Sequence, residues 1–138
     1  MATIKKVGKA RVASGNVTVS DANTGVIIVP ARAGEHIIVT DFWVRAIGGA
    51  AATLTAAEIQ GTGGTVVAGS VPQASLTQNV VNRPETTNVV ATNLAQPFVL
   101  GSATMIPKGE GLRFITTGST ATVASSFDYM VEFIYEAA

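Results

Sequence analysis

Polar and apolar positions alternate most clearly towards the end of the chain. Phe127, Tyr129, Val131, Phe133 and Tyr135 occupy every second position, with Asp128, Met130, Glu132, Ile134 and Glu136 between them. A period of two is the signature of an extended strand, whose successive side chains point to opposite faces. At strand spacing, residues 127–135 reach roughly 30 Å. Upstream, Leu112, Phe114 and Thr116 alternate with Arg113, Ile115 and Thr117, and Gly118-Ser119-Thr120 interrupts the two runs, which predicts a closing hairpin. Four aromatic rings on one side of the second run are more than a hairpin can bury. A second sheet must cover them.

The same period recurs from His36 to Ile47. Ile38, Thr40, Phe42, Val44 and Ala46 form an uncharged face and are the expected core side. Ile37, Val39, Asp41, Trp43, Arg45 and Ile47 form the other. A Trp flanked by an acid and a base is the composition of an interface anchor, so Trp43 is expected at a contact surface.

Elsewhere the strands are shorter. Val17 and Val19 predict a brief strand, Asp21 to Gly25 a turn, and the unbroken apolar run Val26–Val29 a strand covered on both faces. Leu54, Ala56 and Glu58 predict another strand, joined through Gly61–Gly64 to Val66 and Val67 as a hairpin. Residues 70–97 hold three prolines and many amides. They predict a long loop region with a helical turn after Pro72 and brief strands at Val80-Val81 and Val89-Val90. Phe98–Leu100 and Met105-Ile106 resume the sheet. Val29-Pro30…Gly34-Glu35 is echoed by Ile106-Pro107…Gly109-Glu110, as two similar crossings between sheets require, and two Greek keys make a jelly roll. The expected fold is therefore all-β, an antiparallel sandwich of jelly-roll type. Residues 16–138 form one domain, and 1–15 a basic N-terminal arm or edge strand.

Composition sharpens this picture. Val occurs 18 times, Thr 17 and Leu five, a balance that favours pleated sheet over helix. Only 13% of residues are charged, against about a quarter in ordinary soluble domains. Depletion of charge is a property of interface centres, so much of the surface is expected to be covered by other subunits. A net charge of zero argues against nucleic acid as the partner. No apolar run has the length to cross a membrane. The absence of cysteine removes disulfide and thiolate chemistry.

Catalytic readings fail one by one. Gly101 to Gly109 fits G-x5-P-x-G and resembles the second motif of the cupin jelly rolls, but the positions that carry His and Asn in that family are Leu112 and Thr116 here. The chain's one histidine, His36, cannot build an imidazole cage, and no nucleophile elbow is present. Asp128, Glu132 and Glu136 stand about 13 Å apart in sequence along one strand face, too far for a glycosidase pair. The expectation is no enzyme and no cofactor.

Those three acids lie in the last eleven residues, and Lys5, Lys6, Lys9 and Arg11 lie in the first eleven. This complementarity predicts that the arm of one subunit crosses the terminal strand of another, with Met130 and Ile134 supplying apolar contact between the acids. A small cysteine-free sandwich with low charge, a basic arm and a long aromatic final strand resembles the decoration, or cement, proteins of tailed-bacteriophage capsids. The resemblance implies a homotrimer on the outer surface of the virion that bridges major capsid proteins. The alternative is a receptor- or carbohydrate-binding sandwich of the fibre or lectin kind.

Overall fold

The computed structural model describes residues 9–83, 90–91 and 104–137. Its elements are β1 (Arg11–Thr18), α1 (Val19–Thr24), β2 (Val26–Val29), β3 (Glu35–Ile47), β4 (Ala56–Gly61), β5 (Val67–Pro72), a 3-10 turn (Gln73–Ser75), β6 (Val90–Ala91), β7 (Thr104–Met105), β8 (Leu112–Thr117) and β9 (Ser126–Ala137). They form two antiparallel sheets, ordered β1-β9-β3-β7 and β2-β8-β4-β5-β6. The pairing is nested: β1 lies on β9, β2 on β8, β3 on β7 and β4 on β5, and successive pairs fall in alternate sheets. A long antiparallel ribbon wound over itself in this way is a jelly roll, and the all-β sandwich expected from the sequence is the fold observed.

Residues 112–136 do not close as a hairpin. β8 and β9 belong to opposite sheets, and their inner faces meet across the interior, with the Phe114 and Phe127 ring centroids 5.3 Å apart. Alternation identifies two half-buried strands but is blind to whether the turn between them lays one beside the other or above it. Here Gly118 adopts a left-handed φ of 82° where an added Cβ would strike Thr55. The following segment bonds back to Ala52 through Thr122, carrying the chain from one sheet to the other.

The inner layer is Phe42, Phe114, Phe127, Ile59, Val71, Val131 and their neighbours, all buried. Each of these large side chains contributes about 1.5–3 kcal/mol by leaving water. The Tyr129 ring joins the cluster 6.1 Å from Phe114, and burial raises its phenol above the ordinary 10.0. Phe42 lies over the backbone of Gly69 in the facing sheet, where a side chain would meet the ring.

Three local expectations change. A β-bulge at Thr40 shifts the register between Val39 and Asp41. Ile37 and Val39 therefore pair with Tyr135 and Phe133 on the inner face, and Ile38 pairs with Ile134 on the outer one. The inner face of β3 is Ile37, Val39, Phe42, Val44 and Ala46 rather than the unbroken series from Ile38, which turns to the other face yet is buried there. Val19 does not extend a strand but opens α1, which Thr18 caps by accepting from the Asp21 amide at 3.2 Å. The spacing Thr18-x-x-Asp21 is a helix-start signal. Finally, Val26–Val29 is an edge strand, and Ile27 is 66% exposed rather than covered.

The predicted turn after Pro72 and the β4–β5 hairpin are present. Val80-Val81 forms no strand; its neighbour Asn82 makes a single bridge to Val44. Lys5, Lys6, Val89 and Phe98–Leu100 lie outside the described residues, as does Gly101 of the G-x5-P-x-G segment. Leu112, at that motif's histidine position, is fully buried in the core.

Candidate interaction surface

The outer face of the β1-β9-β3 sheet gathers four of the contact residues read from the sequence, Trp43, Asp128, Met130 and Glu132. Three cross-strand rows follow from the register: Asn16–Asp128–Arg45, Ser14–Met130–Trp43, and Val12–Glu132–Asp41. Cross-strand neighbours at such positions are close enough to interact directly.

The first row is a hydrogen-bonded chain. Asn16 Nδ2 donates to Asp128 Oδ1 at 2.9 Å, and Arg45 Nη2 donates to Oδ2 at 2.6 Å. The Asn16 bond first, and the Arg45 bond second, hold the Asp128 carboxyl below the usual 3.8. The Arg45 guanidinium also stands 5.7 Å from the Trp43 ring centroid, which fixes the indole between a cation and Met130. In the third row Thr40, displaced by the bulge, donates to the Glu132 carboxylate at 2.9 Å. Between the two polar rows runs an apolar band of Trp43 and Met130, both half-buried, with Val12 beyond it 63% exposed.

The structure thus brings Trp43, Asp128, Met130 and Glu132 together and separates the rest. Ile134 is only 5% exposed, because the far end of the sheet is covered on both faces. It is removed from the surface on which apolar contact with a neighbour was expected. Glu136 is buried too, with Oε1 3.3 Å from His36 Nε2. Arg11 pairs in register with Phe133 of its own chain and reaches the Tyr135 ring at 5.9 Å. The segment Arg11–Thr18 therefore lies along the terminal strand of the same chain, where the charge pattern had predicted the strand of another. Lys9 is exposed. The three acids are engaged within the chain, so the acidic stripe is partly neutralised before any partner arrives.

The opposite sheet holds a feature that sequence reading passed over. Ile27, Arg113, Gln60 and Val67 form one cross-strand row on its outer face. Arg113 Nε and Nη2 donate to Gln60 Oε1 at 3.0 and 2.8 Å. Gln60 Nε2 donates to Glu58 at 2.7 Å, and Ser70 donates to the other Glu58 oxygen at 2.9 Å. Beside Arg113 lies a cleft of about 230 Å³ lined by Thr24, Gly25, Val26, Ile27 and Thr62. The alternation Leu112-Arg113-Phe114 signalled that Arg113 faces outward, but nothing local to it announced Gln60 or the cleft.

Among the described residues no group of three His, Asp or Glu is placed to hold a metal ion, and no helix is long and apolar enough to cross a membrane. Comparison with protein-family models, with curated proteins and with solved structures returned no match.

Proposed function

We propose that this protein is a structural subunit of a bacteriophage virion, which binds the outside of the capsid as a homotrimer and stabilises it by bridging major capsid proteins. The observation that carries the reading is the outer face of the β1-β9-β3 sheet. An apolar band of Trp43 and Met130 is set between two hydrogen-bonded polar rows, one of which ends in exposed Val12, the anatomy of an interface with an apolar centre and a polar rim. Low overall charge and the basic residues before β1 agree with it. Many copies, each adding a modest contact area, raise the stability of a shell through mass action and avidity.

The test is light scattering of the purified protein together with co-sedimentation on assembled shells. Trimers that bind shells, and lose at least about tenfold in affinity on Met130→Asp with unchanged thermal stability, are expected. A monomer that ignores shells removes the proposal. The second reading is a carbohydrate-binding sandwich, and the observation favouring it is the cleft beside Arg113 on the other sheet.

A further inference from the structure

We infer that the Arg113 cleft binds a small carboxylate ligand, an acidic sugar of the size of a single uronate residue. The inference deepens the second reading above and is independent of shell binding.

The first ground is charge. Arg113 is half-buried, and among the described residues it has no carboxylate within ion-pairing distance. It touches an acid only through the Gln60 amide. The acid in the adjoining segment, Glu110, is taken up by the Gly63 amide at 2.7 Å. The guanidinium retains its positive charge and the N–H groups that Gln60 does not use, namely both on Nη1 and one on Nη2.

The second ground is preorganisation. Two donors on one Gln60 oxygen fix the guanidinium plane, and the relay through Glu58 to Ser70 fixes Gln60. A planar fork held in one orientation loses little freedom when it engages a carboxylate.

The third ground is the polarity of the walls. Thr62 Oγ1 accepts from the Gly111 amide at 3.1 Å, which leaves its own hydrogen to donate. The Thr24 hydroxyl and the Gly25 amide are both spent on the Asp21 carbonyl. The side chains that keep hydrogens to donate at the cleft are Arg113 and Thr62, which suits an anion, while the Thr24 oxygen is left only as an acceptor. Exposed Ile27 adds an apolar wall against which the C–H face of a pyranose can lie. A cleft of about 230 Å³ accommodates one such ring and opens outward for the rest of a chain.

Nuclear magnetic resonance titration of the full chain with sodium glucuronate, glucuronamide and acetate tests this. Glucuronate is expected to shift the Gly25, Ile27 and Thr62 amides and the Arg113 Nε–H. Glucuronamide, which lacks the charge, is expected to bind at least about tenfold more weakly, and acetate, which lacks the ring, likewise. Arg113→Lys is expected to lose glucuronate by a similar factor while still sedimenting with shells. Equal affinity for acid and amide, acetate binding as tightly as glucuronate, or no shift at the cleft overturns the inference. The acid-to-amide comparison uses the unaltered protein and holds whether or not the variant folds, and failure of the protein to bind shells leaves it untouched.

Discussion

Asp128 shows how one side chain serves both stability and surface. Its carboxylate is fixed by Asn16 and Arg45 on neighbouring strands, and its pKa is lowered in the fold. A group with a depressed folded pKa stabilises the native state above its unfolded value, and that stability is lost as pH falls through the folded value. Asp128→Asn is therefore expected to cost about 1 kcal/mol near neutrality, a modest figure because the pair is partly exposed. Its urea midpoint should converge with that of the unaltered protein as pH falls below the ordinary carboxylate range and the lowered folded value is passed. An offset that stays constant across this range would show that the charge is not the cause. The neighbouring band of Trp43 and Met130 was legible in the sequence because both sit out of phase with the aromatic series. Ile134 was misplaced for a reason at the same scale. Period two says which face a side chain takes but not whether that face is covered, and near its carboxyl end β9 is covered on both.

At the level of elements, alternation located β3, β8 and β9 from their side chains, because each carries a run of alternating apolar positions several residues long. It failed where the backbone breaks period. The extra residue at Thr40 reverses the faces of β3 without altering its composition, so Ile38 and Thr40 read as the inner face while Ile37 and Val39 occupy it and Ile38 is buried on the opposite side. β2 misled for the opposite reason, since Val-Ile-Ile-Val has no polar position to mark its open side. The contact between β3 and β5 is a further case. Phe42 occupies the space that a side chain at Gly69 would need, and a Cβ there would collide with the ring. Gly69→Ala is expected to destabilise the fold by about 1–3 kcal/mol through overpacking, measurable as a lowered denaturation midpoint. An unchanged midpoint would mean that the ring moves aside freely and that the two sheets are less tightly engaged at this point.

The whole molecule is a set of nested pairs, with β1 at one end of the sequence bonded along β9 at the other. Closing such pairs requires ordering most of the chain before the outermost contacts form, and loop-closure entropy opposes this. Refolding followed by the fluorescence of Trp43, the chain's single tryptophan, is expected on the millisecond-to-second scale. Complete refolding in microseconds would contradict a mechanism limited by nonlocal pairing. The nested arrangement also explains the fate of the charge pattern. Basic residues at one end of the chain and acids at the other suggest two molecules in contact, and winding the ribbon lays Arg11–Thr18 beside residues 126–133 of the same molecule.

The sequence by itself determined that this is a two-sheet β protein with an aromatic interior and a sparsely charged exterior. Side-chain period and composition are local properties, and they act on each strand whatever its neighbours. Tertiary structure decided which strands adjoin, on which face β3 turns its residues after the bulge, that Arg11 meets its own chain, and that Arg113, Gln60 and Glu58 form one relay beside a cleft. Those outcomes depend on pairs of residues as far apart in sequence as Gln60 and Arg113, or Asn16 and Asp128. Their meeting follows from the free energy of the complete sandwich, which no single stretch of the chain contains.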